Sequence, residues 1–465
     1  MKDRISQTDG DLTAPKASSN IYYGAESLNA KRNFQITGRV MNVSFITNIT
    51  KIKKAAAIIN SKYGFLDKSV SKAIVKACDE IIGGLLLSEF IVDPIQGGAG
   101  TSANMNANEV IANRAEEILG GKIGEYRLCH PNDHVNMAQS TNDVIPTAGH
   151  LTTLDLLNEL IKSLKKLYNA LEEKSKEFDN VIKMGRTQLQ DAVPMRLGQS
   201  FSAYACAVLR NINQLENVYP LMLTINLGAT AIGTSINASP EYLQHITAQL
   251  SSITGYKLTQ SDNLFDATQN QDSFVTISGT LKACAITLSK ISNDLRLLSS
   301  GPRTGIGEIT LPAKQKGSSI MPGKVNPVIP EVVSQVAFLV AGHDVTICMA
   351  AEAGQLELNA FEPVMFYALF ESITTLTGAV NTLTENCIKG ISANEKRCLE
   401  LTESSIGIIT ALAVHIGYKK AEEIANEALE TGKNIRDIVR NKGLLDEKAL
   451  EKLLDIRALT EPHNS

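Results

Sequence analysis

Apolar residues recur along most of this chain at intervals of three and four, the spacing that lines up one face of an α-helix. Val70, Ile74, Ala77 and Ile81 follow it and predict a helix over residues 68–82. In a longer run, Leu151, Leu154, Leu157, Leu160, Ile161, Leu164, Leu167, Tyr168 and Leu171 keep the pattern for about six turns. Comparable runs cover residues 198–223, 273–300, 326–353 and 362–386, separated by loops rich in Gly, Ser, Thr, Asn or Pro. Long helices joined by polar loops predict an all-α fold with a bundle at its centre. Their apolar residues cover more than one narrow stripe, so a helical oligomer is expected. The runs predict a mostly helical N-terminal domain over 1–142, a central five-helix bundle over 143–391 and a small helical domain over 392–465. In the last, Asp446 is the expected cap of a short helix. Strands do not alternate with helices, which argues against a dinucleotide-binding core.

With 43% hydrophobic and 20% charged residues and a formal net charge of -4, the chain has an ordinary globular composition. Lys and Arg are dispersed, so neither nucleic acid nor a membrane surface is an expected partner, and a small-molecule substrate is. Seven widely spaced cysteines without a C-x-x-C pair suit reduced thiols. The first twenty residues are polar and no stretch approaches a membrane span, so a cytoplasmic location is expected. The histidines show no metal-ligand spacing, and no metal or organic cofactor is expected. Gly97-Gly98-Ala99-Gly100 lacks the spacing of a phosphate loop and reads as a tight turn. His130-Pro131-Asn132-Asp133-His134 also reads as a loop.

The segment richest in possible chemistry is Gly317-Ser318-Ser319-Ile320-Met321-Pro322-Gly323-Lys324-Val325-Asn326-Pro327, just before a long helix. Glycines let backbone approach a ligand, free N–H groups beside serines can accept an anion's charge, and Lys324 adds a point charge suited to a carboxylate. By residue type alone, the segment is either such an anion-binding loop or a surface loop capped by hydroxyls. It resembles the signature loop of the aspartase/fumarase superfamily, G-S-S-x-M-P-x-K-x-N. Gly100-Thr101-Ser102-Ala103-Asn104-Met105-Asn106, Gln139-Ser140-Thr141-Asn142-Asp143 and Gly185-Arg186-Thr187-Gln188-Leu189-Gln190-Asp191 resemble its other site segments. The likeness runs from Tyr22-Tyr23-Gly24 into the C-terminal region.

That resemblance implies a homotetramer around a core of long helices, with sites built from three subunits. It implies Ser318 as the base, and Thr101, Ser140, Thr141 and the Ser319 backbone as donors to the developing oxyanion. Lys324 and Asn326 would hold the other carboxylate, with Thr187, Gln188 and Asn142 around it and the amino group. Shared sites also suit the chain order of these segments, because successive ends of helices of roughly 25 residues lie tens of ångströms apart.

Within the superfamily the wording looks like the aspartase branch. Gln188 stands where the fumarase branch typically shows histidine, and Val328-Ile329-Pro330-Glu331-Val332 and Gly97 to Thr101 follow the aspartase form. The expected reaction is therefore elimination of ammonia from L-aspartate; hydration of fumarate is the alternative, and a non-catalytic homologue a more distant one. One departure is Ala413-Val414, where the family commonly shows Asn-Pro.

Overall fold

The computed structural model describes residues 21–461 apart from Lys316, Ser318, Leu454 and Ile456. In chain order it contains α1 (Ala25–Asn33), α2 (Val43–Lys62), α3 (Lys68–Ile82), α4 (Thr101–Ile118), α5 (Thr141–Glu177), β1 (Ile182–Thr187), β2 (Gln190–Arg196) and α6 (Leu197–Val218). There follow α7 (Pro240–Thr254), α8 (Leu264–Gln269), α9 (Asp272–Leu298), α10 (Val328–Glu352), α11 (Glu362–Asn386), α12 (Glu395–Ser404), α13 (Ile409–Ile416), α14 (Tyr418–Thr431), α15 (Ile435–Asn441) and α16 (Glu447–Leu453). The all-α expectation holds, and each long apolar run lies in a helix.

The chain forms two compact units. The first comprises Met1–Ala148 with Leu227–Leu258, and in it α2 packs on both α3 and α7. Helix α3 has the bounds its periodicity predicts: Asp67 caps it by accepting from the Ser69 and Val70 amides, while Ile74, Ala77 and Ile81 are fully buried. The 130–134 segment differs from its expectation, because Pro131–Val135 closes one π-type helical turn, a form common near functional sites.

The second unit comprises Gly149–Asn226 and Thr259–Ser465. Leu151, Leu154, Leu157, Leu160, Leu164, Leu167 and Leu171 on α5 are fully buried. Helix α10 packs on α9 and α11, and α6 on α9. The C-terminal helices share a core of Ile408, Leu412, Ile424, Ile438, Val439 and Leu450, which also holds Met184 of β1. Asp446 caps α16 through the Ala449 amide at 2.7 Å, as predicted. Helix α13 runs unbroken through Ala413-Val414.

By length and composition α9, α10 and the stretch Glu362–Gly390 are apolar enough to cross a membrane. This corrects the expectation that no stretch approaches a span. The cause is packing: α10 needs apolar residues toward two neighbouring helices, and further ones, Phe338, Val345 and Met349, are 69%, 58% and 67% exposed.

Glu362 opens α11 as a buried acid that accepts from Gln271 Nε2 at 2.8 Å. Burial pushes its carboxyl well above the usual carboxylate range. A raised folded-state pKa stabilises fully below the ordinary value of 4.5 and is lost as pH rises toward the folded value. Glu362→Gln keeps an acceptor for Gln271 and removes this linkage. Its melting temperature should therefore gain on the parent's as pH rises above the ordinary carboxylate value. Parallel pH dependences would show that Glu362 is ionised in the fold.

Candidate active site

In the first unit two expected segments adjoin. Gly100, at φ +85°, turns the chain into α4, and a side chain there would crowd Ile145. Thr101 is the first residue of α4; its hydroxyl is exposed and donates to the Gly98 carbonyl at 2.7 Å. Ser140, Thr141 and Asn142 form the turn that starts α5. The Ser140 Oγ accepts from the Asn142 amide at 3.2 Å, which is N-cap geometry. Asn142 Nδ2 donates to the Ala231 carbonyl at 2.7 Å, and Asn104 Nδ2 reaches the Thr141 Oγ1 at 3.5 Å.

Beneath this turn lies a residue that the sequence reading quoted without assigning it a role. Asp143 is fully buried and accepts from the backbone amides of Ser140, Gly228 and Thr230 at 2.9, 3.0 and 3.2 Å. One carboxylate thus ties the turn to the 228–230 loop. Burial raises its pKa to about 6, against those hydrogen bonds and the Lys53 charge.

In the second unit Thr187 and Gln188 sit at the tip of the β1–β2 hairpin. Thr187 pairs with Gln190, and the two residues between, Gln188 and Leu189, have φ of +53° and +64°. Both lie in the region a two-residue hairpin turn demands, normally met by Asn-Gly. Left-handed backbone at two such residues costs about 1–3 kcal/mol each, and strain of this kind gathers at functional sites. The tip is exposed, with Leu189 at 69%. Strand β1 of the hairpin is held by Glu308, a fully buried carboxylate 2.7 Å from Arg186 Nη1 and 3.1 Å from Lys183 Nζ. The Arg186 contact is a hydrogen bond, while the Lys183 contact is an ion pair without hydrogen-bond alignment.

Lys324 and Asn326 line a cavity of about 570 Å³ together with Arg296, Ser300, Thr310 and Glu331. Ser318 lies outside the described residues, while Ser319 is exposed in the same loop. Gly317 passes so close to the Lys324 carbonyl that any side chain there would overlap it, and Gly323 turns the chain at φ +83°. Glycine is required at the first place and favoured at the second. Two cations, three carboxamide or hydroxyl donors and one acid around a cavity suit a small carboxylate ligand. Thus Thr101, Ser140, Thr141 and Asn142 gather in one unit, and Lys324 and Asn326 around a cavity of the other, where Thr187 and Gln188 occupy a separate hairpin tip. Among the described residues no group of three or more His, Cys, Asp or Glu is placed to hold a metal ion.

The family model described as Lyase matches residues 16–342, and that of the Fumarase C C-terminus matches residues 408–461, which include Ala413-Val414. The chain belongs to this lyase family. Among its relatives, an aspartate ammonia-lyase from Bacillus sp is 52% identical over 97% of this chain and 96% of its own. The aspartate ammonia-lyase of Escherichia coli (strain K12) is 44% identical, covering 99% and 97%. The crystal structure of a fumarate lyase:delta crystallin from Brucella melitensis bound to cobalt superposes with a TM-score of 0.93 at 50% identity, covering 95% and 96% of the two chains. That of a recombinant class II fumarase from Schistosoma mansoni gives 0.90 at 34%, covering 95% and 96%.

Proposed function

We propose that this protein reversibly eliminates ammonia from L-aspartate to give fumarate. The observation that carries the reading is identity of 44–52% to aspartate ammonia-lyases over nearly the whole chain, against 34% to a class II fumarase. Gln188 at the hairpin tip favours the same branch.

The chemistry asks for what these residues offer. A proton on the carbon beside the side-chain carboxylate is a very weak acid, because its removal places a second negative charge on that carboxylate as an enediolate. Donors aimed at this charge lower the barrier, and losing one typically costs roughly 3 kcal/mol. Thr101, Ser140, Thr141 and the Ser319 backbone are the proposed donors. Ser318 is the proposed base: as an alkoxide it takes the proton, and the electron pair left on carbon becomes the double bond as the carbon–nitrogen bond breaks and ammonia leaves. An isolated serine is far too weak a base near pH 7, so loop N–H groups and the Lys324 charge must hold its anion away from water. Lys324 and Asn326 take the other carboxylate, with Asn142, Thr187 and Gln188 around it and the amino group. The free cysteines suit action in the cytosol.

Purified protein given L-aspartate should release fumarate, read by its ultraviolet absorbance, and should dehydrate malate far more slowly. Faster turnover of malate than of aspartate would replace this reading with a hydratase.

The assembly proposed is a homotetramer with sites shared between subunits. Exposed Phe338, Val345 and Met349 on α10 and Ile286 on α9 supply apolar surface for a second copy. Thr141→Arg and Lys324→Ala proteins, each inactive, should regain part of the activity when unfolded together and refolded as hybrids. Some sites then draw both intact segments from different chains. Hybrids that stay inactive despite verified mixing would show that each chain builds its own site.

A further inference from the structure

Lys53, in the middle of α2, has no exposed surface, and a buried ammonium is kept only where specific partners repay its lost hydration. Its Nζ donates to Asn136 Oδ1 at 2.7 Å. Asn136 follows the π-type turn, and its Nδ2 donates onward to the Gln139 carbonyl at 3.2 Å, one residue before the Ser140-Thr141-Asn142 turn. Two α4 side chains converge on the same Oδ1: Asn104 Nδ2 at 3.2 Å and Asn108 Nδ2 at 3.3 Å. Asn104 Nδ2 also reaches Thr141 Oγ1 at 3.5 Å. Nearer the other end of α2, Asn60 Nδ2 donates to the Met137 carbonyl at 3.1 Å.

The chemistry of these groups dictates how the cluster is oriented. An ammonium has donors and no acceptor, so the Asn136 amide must present its oxygen to Lys53. Its NH2 is then directed at the Gln139 carbonyl. With a neutral apolar side chain at 53 the amide could turn over, and the tie to Gln139 would be lost. Burial draws the Lys53 ammonium down and the Asp143 carboxyl up, while each favours the other's charged form. The two buried side chains bracket the turn: Asp143 holds it from within through the Ser140 amide, and Lys53 holds its approach through Asn136.

We propose that Lys53 is a positioning residue for substrate binding, acting through Asn136 to hold the Ser140-Thr141-Asn142 turn in the geometry that receives the substrate's carboxylate. The inference rests on the proposed reading of that turn as a substrate contact. Lys53 itself touches no substrate.

The test is a double-mutant cycle on the assembled enzyme, with L-aspartate as substrate. Lys53→Met matches the length and cannot donate; Asn136→Ala breaks the link with Lys53 in place and carries the test if Lys53→Met fails to assemble. Thr141→Val removes the hydroxyl at the far end. Each single variant should lower kcat/KM by about 10²-fold with oligomeric state kept, and Asn136→Ala, which takes a partner from the buried Lys53, should also lower the melting temperature. Combining Thr141→Val with either inner variant should cost little more than the worse single change, because the losses share one route. Losses that multiply to about 10⁴-fold, or an inner variant within about threefold of the parent, would overturn the positioning role while leaving the turn's own role standing. A Thr141→Val enzyme of normal activity would overturn both.

Discussion

Ser318→Ala is expected to lower kcat by about 10²–10⁴-fold, the range that a positioned general base supplies. The carboxylate contacts are proposed for other residues, so apparent affinity for aspartate should change much less. A change confined to the chemical step lowers kcat and kcat/KM together. Lys324→Ala should behave differently, because that ammonium lines the cavity in which a carboxylate would sit. It is expected to raise KM as well as lower kcat. Rapid mixing with aspartate deuterated at the carbon that loses the proton would locate the step. A primary isotope effect that appears or grows in Ser318→Ala would identify proton removal as the slowed event. A Ser318→Ala enzyme with near-normal turnover would remove serine as the base and direct attention to Glu331, the acid lining the same cavity.

The helices were legible because each buries one dominant face, and burial is what the spacing of leucines records. The α5 leucines from 151 to 171 are fully buried, and α3 starts and stops where its periodicity does. The β1–β2 hairpin was not legible for a related reason. Strand alternation is visible only when the buried positions are apolar, and in β1 a buried position holds Lys183. Gly185 then bulges the register, and Pro194 interrupts the pattern of β2. The turn residues Gln188 and Leu189 add no Asn-Gly signal, although the backbone adopts the geometry that dipeptide favours.

The same contrast holds for the site. Hydroxyls, glycines and the lysine of a short loop are conspicuous in a sequence, so Ser318, Ser319, Lys324 and Asn326 stand out by residue type, whereas Thr101 and Thr141 are singled out only through the family resemblance. The buried charges that shape their surroundings carry no such mark. Lys53 is one of three lysines within the four residues 51–54 of a helix, Asp143 looks like any acid in a first turn, and Glu308 is nowhere near Lys183 and Arg186 along the chain. Only folding shows that Asp143 gathers three backbone amides, or that Glu308 meets two cations. The long apolar runs also misled in one respect: a helix packed on two sides can have the composition of a membrane span.

Glu308→Ala should cost about 3–5 kcal/mol of stability, the usual penalty for breaking a buried ion pair from one side. The carboxylate has no exposed surface, and its partners Lys183 and Arg186 are only 6% and 16% exposed. Removing it leaves two largely buried cations facing each other across a cavity, with water poorly placed to replace the lost oxygen atoms. A fall in the denaturant midpoint at unchanged slope would measure the loss. Lys183→Met added to Glu308→Ala should recover part of it, because one of the orphaned charges is then gone. Recovery on adding a second substitution distinguishes uncompensated charge from simple loss of packing, where the second change would make matters worse. The functional readout should follow from position along the hairpin. Arg186 adjoins Thr187, and its anchor to Glu308 fixes the strand that ends in the strained Gln188-Leu189 turn. Where Glu308→Ala remains folded, KM for aspartate should therefore rise if Thr187 and Gln188 make the substrate contacts proposed for them. A variant within about 1 kcal/mol of the parent, with unchanged KM, would mean that Lys183 and Arg186 find other partners and that the hairpin needs no charged anchor.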